Sequence, residues 1–223
     1  MRSCKSTIII VTAPSGTGKT TLTRRLLKEN KDLSFSISVT TRPIRKGEIN
    51  GEHYWYVTTP QFMQLVKDQR MIEWANVFGN LYGTTKDEIK RIQDEGRRAV
   101  LEIDVQGANS IREQYSDACS IFIMPPSVES LWERLKQRGT DPIDVRWHRL
   151  QTAKQELFEG KNFQHFIINN ELEIAYAELK NLVVHHTPVR LSHEEGLRHC
   201  NQLLHQFQHS IWNSDTIPDS IRD

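Results

Sequence analysis

The sequence of 223 residues has few cysteines, no long apolar run and almost no excess of charge of either sign. Its three cysteines, Cys4, Cys119 and Cys200, are widely spaced and form no CxxC pair, which predicts free thiols in a reducing compartment. The longest apolar run, Ile8–Val11 with its neighbours, is too short to span a bilayer, and residues 1–7 do not begin a signal-peptide pattern. We therefore expect a cytoplasmic protein with no membrane partner.

The charge balance bears on which partners to expect. Lysine plus arginine is 29 and aspartate plus glutamate is 28, which gives a formal net charge of +1. Nucleic-acid binders usually carry a strong basic excess, so we expect no nucleic-acid partner, and any recognition of anions must rest on local groups of arginines. The hydrophobic share of 37% and the charged share of 26% are typical of a globular domain.

Strands and helices alternate along most of the chain, which predicts an α/β fold with a parallel central sheet flanked by helices. Four short, β-branched apolar runs predict buried parallel strands: Ile8–Val11, Ala99–Ile103, Ser120–Met124 and Phe166–Ile168. The helical periodicity falls at Lys19–Glu29, Val105–Tyr115, Val128–Gln137, Val145–Glu159 and Leu172–Leu182.

Three segments depart from this alternation. Residues 36–85 carry short aromatic-rich strands, Ser36–Val39, Tyr54–Val57 and Ile72–Val77, and indicate a small β-rich insertion. Residues 138–145, with a glycine and a proline between two helices, indicate a mobile lid. The stretch His193–Trp212 predicts an amphipathic helix, whose apolar stripe suits packing on the core or on another subunit equally well.

The strongest local signal follows the first predicted strand. Ala13-Pro14-Ser15-Gly16-Thr17-Gly18-Lys19-Thr20 lies between a strand and a helix, which is the arrangement of a phosphate-binding loop. Lys19 can reach the β- and γ-phosphates of ATP, and the Thr20 hydroxyl can ligate Mg²⁺. The alternative is an ordinary glycine turn, and Ala13 stands where the pattern has glycine, which is strained only if its φ is positive. The expected ATP contacts are Ala13, Pro14, Ser15, Gly16, Thr17, Gly18, Lys19, Thr20 and Thr21.

A second group of polar residues lies in the insertion. Arg42 and Arg45 are three residues apart in an extended stretch with Tyr54 beyond, and such residues can converge on a phosphate. The alternative is a solvated charged face. Trp55 and Tyr56 are interpreted as core aromatics. Glu73 can accept both guanine donors, N1–H and the 2-amino group, although a surface carboxylate is the alternative.

Several motifs occur together in order, and at these residues the sequence resembles the guanylate kinase family over residues 6–185. The motifs are Ser38–Tyr54 (SxTTRxxRxGExxGxxY), Ile72–Trp74 (IEW), Gly79–Thr84 (GNxYGT), Leu101–Gly107 (LEID-x-QG) and Arg138–Thr140 (RGT). The resemblance implies a P-loop kinase fold with a GMP-binding insertion and a helical lid, acting on ATP and GMP with Mg²⁺. It implies that the GMP phosphate is held by Arg42, Arg45, Tyr54 and Tyr82. It implies that Ser38, Glu73, Thr84 and Asp104 read the base, with Glu102 beside the acceptor or the metal.

On the donor side, the resemblance implies that Arg138 and Arg149 are lid arginines closing over the triphosphate, with Arg134 as a further arginine of the same helix. Asn169 lies in a turn similar to one of the family and would assist the donor nucleotide. Lys19, Arg42, Arg138 and Arg149 are the expected catalytic residues, because they neutralise charge on the transferring phosphoryl group. No general base is expected, since a phosphate oxygen is already ionised at neutral pH.

The expected domains follow from these segments. The core P-loop domain takes residues 1–35, 96–130 and 156–190, the GMP-binding insertion 36–95, the lid 131–155, and a C-terminal helical extension 191–223. Homo-oligomerisation is left open. Two other functions also remain open: a guanylate-kinase-like module that binds partners without catalysis, and a P-loop kinase for another phosphorylated acceptor such as a sugar phosphate. A metal site at His205 and His209 lacks a third ligand, and a solvated face is the favoured reading.

Overall fold

A computed structural model of the chain describes residues 4–77, 79–137, 141–209, 211–213, 216–218 and 221. The strands are β1 Ile8–Thr12, β2 Leu33–Phe35, β3 Val39–Thr40, β4 Trp55–Tyr56, β5 Met71–Val77, β6 Asn80–Thr85, β7 Arg98–Glu102, β8 Cys119–Met124 and β9 His165–Ile168. The helices are α1 Lys19–Glu29, α2 Thr59–Lys67, α3 Lys86–Asp94, α4 Val105–Gln114, α5 Val128–Gln137, α6 Ile143–Gly160, α7 Leu172–Val183 and α8 His193–Gln208. A short 3₁₀ turn, Ile211–Asn213, follows α8.

Two sheets organise the chain. The larger has the strand order β2-β7-β1-β8-β9, in which β2 pairs with β7 and β8 pairs with β9 in parallel. Its strands β1 and β8 are buried along their whole length, as expected where helices cover both faces of a parallel sheet. The four predicted strands of the central sheet and the α/β class are confirmed.

The smaller sheet has the order β4-β3-β6-β5 and lies in the predicted insertion. It is mixed, because β3 pairs with β4 in parallel and with β6 antiparallel. Helix α2 closes a small core of its own here, formed by Val39, Phe62 and Met71. The sheet and its helix thus give the insertion a separate apolar centre that can fix the side chains on its surface.

By its contacts the chain divides into two compact units. The first comprises residues 1–4, 11–26 and 120–223, and the second comprises residues 5–10 and 27–119. The phosphate-binding loop, α5, α6 and the C-terminal helix belong to the first unit, and the small sheet with α4 belongs to the second. None of the helices among the described residues is long and apolar enough to cross a membrane.

Two expectations about particular side chains are wrong. Cys4 and Cys119 are each disulfide-bonded, and Cys200 is the free cysteine, so the prediction of three free thiols fails. Trp55 is 42% exposed and Tyr56 is only half-buried, so neither is a core aromatic. Strand β4 is two residues long and lies at the edge of its sheet, where alternation does not imply burial.

The C-terminal helix packs on the first unit itself. Cys200, Leu203 and Phe207 of α8 are fully buried, and the Sγ atom of Cys200 lies 3.2 Å from the Sδ atom of Met124 in β8. The rings of His205 and His209 lie 4.1 Å apart. The described residues contain no group of three or more His, Cys, Asp or Glu that could hold a metal ion.

Candidate functional site: a phosphate-binding loop and an acceptor pocket

The loop between β1 and α1 takes a shape that only glycine accommodates at two points. Gly16 has φ +94° and Gly18 has φ +97°, and α1 begins directly afterwards at Lys19. The Thr17 amide donates to the Pro14 carbonyl at 3.1 Å, which closes the turn. A loop of this kind directs backbone N–H groups inward at the positive end of a helix, so it can bind a polyphosphate.

The other residues of the loop differ in how far they are exposed. Lys19 is half-buried, and Thr20 and Thr21 are exposed in the first turn of α1. Ala13 is buried and is not among the described residues with positive φ, so its methyl group causes no backbone strain. Thr17 is fully buried, and its Oγ1 atom has no hydrogen-bond partner among the described residues.

Two residues predicted to contact ATP form hydrogen bonds with the backbone of the loop. The Nδ2 atom of Asn169 donates to the Thr17 carbonyl at 2.7 Å, and Asn169 is 4% exposed. Arg134 donates to the Asn169 carbonyl at 2.8 Å and to the Thr17 carbonyl at 3.5 Å. Burial lowers the pKa of Arg134 from its ordinary value. Both side chains therefore brace the loop, a role that the sequence did not indicate.

The predicted lid arginines are described in part. Arg138 lies outside the described residues. Arg149, on α6, forms an ion pair with Asp141 at 3.2 Å. Arg146 lies one turn earlier on the same helix, with its guanidinium 5.7 Å from the ring centre of Trp132. Cations on α5 and α6 thus belong to the same compact unit as the loop.

In the second unit, a single carboxylate orders the predicted phosphate-binding residues. Glu48 accepts two hydrogen bonds from the Arg42 guanidinium, at 2.8 and 3.0 Å, and one from the Tyr56 hydroxyl at 2.7 Å. The backbone amide of Arg45 donates to the same carboxylate at 2.8 Å. These bonds, that from Arg42 first, lower the pKa of Glu48 to about 2, and the pKa of Arg42 is raised in turn.

Glu48 and Tyr56 were not predicted as site residues. The available signal was a glutamate three residues after Arg45 in a basic stretch, since such a carboxylate can orient an arginine fork. Burial, followed by the bond to Glu48, raises the pKa of Tyr56 to about 12, so its hydroxyl remains a donor. Both residues fix Arg42 before any ligand arrives.

Two predicted tyrosines complete this cluster, and one predicted arginine does not. The rings of Tyr54 and Tyr82 lie 5.8 Å apart, edge to face, and the Arg42 guanidinium lies 5.5 Å from the Tyr54 ring centre. Burial is the largest cause of the raised pKa of Tyr54. Arg45 is exposed, and the contact that it makes in the cluster comes from its backbone amide.

The predicted base-reading pair is in direct contact. Strands β5 and β6 place Glu73 opposite Thr84, beside a register shift at Met71, and cross-strand partners present their side chains on one face. The Thr84 hydroxyl donates to Oε1 of Glu73 at 2.7 Å, and both residues are buried. Burial raises the pKa of Glu73 to about 7, and the Asp104 charge adds to this.

Helix α4 approaches the same carboxylate. A Cβ atom on Gly107 would lie 2.7 Å from Oε2 of Glu73, so any side chain there would require the carboxylate to move. Asp104 caps α4, because its Oδ1 atom accepts from the Gly107 amide at 2.8 Å. Glu102 is the half-buried last residue of β7, and Ser38 is half-buried just before β3. The second unit thus offers a buried carboxylate and hydroxyl to a planar ring bearing neighbouring N–H donors.

Comparisons with known proteins bear on both regions. The family model described as guanylate kinase matches residues 5–186. A guanylate kinase from Neisseria gonorrhoeae is 44% identical over 80% of this chain and 87% of its own length. One from Symbiobacterium thermophilum is 39% identical over 81% and 85%. The crystal structure of a guanylate kinase from Anaplasma phagocytophilum is 29% identical, covers 91% of this chain and 94% of its own, and has a TM-score of 0.64.

Proposed function

Because the chain belongs to the guanylate kinase family, we propose that it transfers the γ-phosphoryl group of ATP to GMP, giving ADP and GDP. The observation that carries this proposal is the buried Glu73–Thr84 pair. An ionised Glu73 accepts the guanine N1–H and 2-amino donors, and the Ser38 hydroxyl serves O6. Adenine presents an acceptor at N1, which would leave the buried carboxylate unpaired, and sites of this kind reject the wrong partner by roughly 10⁴-fold.

We assign the GMP phosphate to the cluster that Glu48 orders. Arg42 supplies a fork of N–H donors, and Tyr54 and Tyr82 supply hydroxyls beside it. A guanidinium has five N–H groups, and the bonds to Glu48 and the Pro43 carbonyl use three of them. A further side-chain hydrogen bond joins Arg42 to Tyr82, beside which the phosphate is proposed to bind. Arg45 is assigned to the rim of this site, because its side chain is exposed.

On the donor side, backbone N–H groups of the loop hold the ATP phosphates and Lys19 spans the β- and γ-phosphates. The donor set fits Mg²⁺, because the Thr20 hydroxyl is an exposed oxygen ligand in the first turn of α1 and Mg²⁺ binds through one or two protein oxygens plus phosphates. When bound, Mg²⁺ neutralises charge on the β- and γ-phosphate oxygens. Arg134 and Asn169 keep the loop in shape, and Arg138 and Arg149 are the proposed lid arginines.

The chemistry proposed for these residues is alignment and neutralisation of charge. The attacking oxygen of the GMP phosphate is ionised at neutral pH, so no side chain needs to take a proton from it. Lys19, Arg42, Arg138 and Arg149 stabilise the charge that spreads over the transferring group, which in kinases of this class supplies most of the rate. Exclusion of water keeps ATP from hydrolysis.

We also propose that dGMP serves as an acceptor and that the reaction takes place in the cytoplasm as part of purine nucleotide metabolism. The disulfide-bonded Cys4 and Cys119 bear on the location, since disulfides are rare in reducing compartments. Lysing cells directly into denaturant that contains an alkylating agent, and counting the alkylated cysteines, tests this point. Three alkylated cysteines fit a reducing compartment, whereas one fits an oxidising one.

ADP formation with ATP and Mg²⁺, measured across GMP, dGMP, AMP, CMP, UMP and dTMP, tests the reaction. Turnover with GMP and dGMP alone supports both the chemistry and the role of Glu73. Turnover with a sugar phosphate, and with none of the nucleotide acceptors, would overturn the assignment of GMP as the acceptor. No turnover with any acceptor would indicate a binding module that retains the P-loop.

A further inference from the structure

The C-terminal helix α8 lies beyond residues 5–186, the part of the chain that the family model matches, yet it is built into the first unit. Its Gly196 packs so closely on β9 that a Cβ atom there would lie 2.2 Å from the Phe166 ring. Gln206 accepts a hydrogen bond at 2.9 Å from the amide of Val128, the first residue of α5. The helix is therefore fixed both to the sheet and to the start of α5.

The 3₁₀ turn after α8 contributes one of the three tryptophans of a buried cluster. Trp212 is 5% exposed, and its ring centre lies 5.9 Å from that of Trp132 on α5 and 6.3 Å from that of Trp147 on α6. Trp132 and Trp147 meet edge to face at 6.0 Å. Gln151 of α6 donates to the Trp212 carbonyl at 3.1 Å. Trp212 thus joins the two helices that flank residues 138–142.

The same cluster supports the arginines of α6. The guanidinium of Arg146, next to Trp147 in sequence, lies over the Trp132 ring, and its Nε atom is buried without a hydrogen-bond partner among the described residues. Arg149 follows three residues later, on the same face of the helix. The Arg146 guanidinium therefore contacts the tryptophan cluster directly, and Arg149 is linked to it through the helix that both arginines share.

We infer that Trp212 is a positioning residue for phosphoryl transfer: through the tryptophan cluster, the C-terminal extension holds α6 so that Arg146 and Arg149 meet the transferring group. This inference rests on the proposed function. Such arginines act in the transition state, so their displacement lowers kcat rather than the affinity for GMP. The acceptor-site side chains Arg42, Glu48, Glu73 and Thr84 belong to the second unit and take no part in the cluster.

The test compares Trp212→Ala with Trp212→Phe and with Leu203→Ala. Leu203 is fully buried on α8, so its truncation lowers stability without removing an aromatic ring from the cluster. Trp212→Ala is expected to lower kcat between about 10-fold and 100-fold, the order of effect of a misplacement of about 1 Å, while the KM for GMP stays within about twofold. Trp212→Phe is expected to restore most of kcat, and Leu203→Ala to leave it near the wild-type value.

Hydrogen exchange gives a second readout that does not depend on activity. Amides in the first half of α6 are expected to exchange faster in Trp212→Ala than in wild type and Leu203→Ala. Unchanged kcat in Trp212→Ala, an equal loss in Leu203→Ala, or unchanged exchange in α6 would each overturn the inference. Suppose the wild-type protein is inactive on every nucleotide, while the amides of α6 exchange faster in Trp212→Ala than in wild type. That result would overturn the proposed function but not the anchoring of α6 by Trp212.

Discussion

The Thr84 hydroxyl donates a hydrogen bond of 2.7 Å to Oε1 of Glu73, and both side chains are buried. The hydrogen bond favours the ionised carboxylate, but burial opposes it more strongly and the pKa rises to about 7. Because this pKa lies near neutral pH, both the stability of the protein and its proposed binding of GMP should depend on pH in that range.

Glu73 is expected to make the stability of the protein fall as the pH rises. A carboxyl group whose pKa rises from 4.5 to about 7 on folding binds its proton more tightly in the folded state. The free energy of unfolding therefore decreases between these pH values, by about 3 kcal/mol for this group alone. Urea unfolding of wild type and Glu73→Gln from pH 5 to 8 measures the difference in their free energies of unfolding. Relative to wild type, the variant should become more stable as the pH rises.

The control for that measurement is Glu113→Gln on α4, where the side chain is exposed. Its difference from wild type should stay constant over the same pH range. A constant difference for Glu73→Gln as well would contradict the burial argument.

GMP binding is expected to depend on the same group. Only the ionised carboxylate accepts both guanine donors, so the Kd for GMP should rise as the pH falls below about 7, by up to about tenfold per unit. Glu73→Gln removes the part of this dependence that comes from the carboxylate, leaving that of the GMP phosphate. It also lowers kcat/KM for GMP, since an amide group offers one acceptor and one misplaced donor. Calorimetric titration of GMP from pH 6 to 8 checks this, and an affinity that is independent of pH in the wild type would contradict it.

Glu48 is expected to act on GMP through Arg42. Glu48→Gln frees the guanidinium from its bidentate partner, so kcat/KM for GMP should fall between about 10-fold and 100-fold, as for the misplacement of a binding group. Tyr56→Phe removes only one of the bonds to Glu48 and should cost less. Steady-state kinetics with GMP varied at saturating ATP measures both effects.

The pH profile separates this role from that of Glu73. The pKa of Glu48 is lowered to about 2, so its stabilising contribution is lost only as the pH falls from 4.5 toward 2. The effect of Glu48→Gln should therefore be the same at pH 6 and pH 8. An effect confined to one end of this range would argue against the Arg42 pairing as its cause.

Lys19→Ala is expected to abolish turnover while leaving the fold intact. Lys19 is half-buried at the start of α1, and among the described residues its ammonium group makes no hydrogen bond or ion pair. Loss of one preorganised donor to the transferring group costs about 10²–10³-fold in kcat, and a full charge should cost at least that. Lys28→Ala on the same helix is the matched control, and a near-normal kcat for Lys19→Ala would contradict the P-loop assignment.

The sequence was sufficient for elements with strong periodicity. Helix α1 and helix α5 were predicted at their observed bounds, and the four long central strands to within one residue at each end. Helix α2 was missed although Thr58 and Gln61 form a capping box with Pro60 in the first turn, a signal that outweighs the weak apolar pattern. Strands β2 and β6 were missed because short or glycine-containing strands depend on their partners in the sheet.

The site residues also fall into those that the sequence predicted and those whose roles it did not indicate. Lys19, Arg42, Glu73 and Thr84 lie within motifs, so the phosphate-loop pattern and the family resemblance were enough to predict them. The Arg134 and Asn169 bonds to the Thr17 carbonyl join residues 117 and 152 positions apart in sequence, and no local pattern encodes which atom they reach. The role of Trp212 is of this kind too, because it depends on how α8 packs.

Gly18 is expected to tolerate no side chain. Its φ of +97° is strained for any L-residue, and a Cβ atom would lie 2.6 Å from Nδ2 of Asn169. That amide cannot simply rotate away, because it is held by the 2.7 Å bond to the Thr17 carbonyl. Gly18→Ala should therefore cost the backbone strain of about 1–2 kcal/mol plus about 1–3 kcal/mol for the broken buried hydrogen bond.

Gly96→Ala separates the two contributions. Gly96 also has positive φ, +71°, but nothing lies within 4 Å of a Cβ atom built on it. Its substitution should cost only the backbone strain and leave the KM for ATP unchanged. Gly18→Ala should be less stable than Gly96→Ala by urea unfolding and should raise the KM for ATP, because the loop amides move. Equal loss of stability in the two variants would mean that Asn169 does not brace the loop, and Asn169→Ala should then leave the KM for ATP unchanged as well.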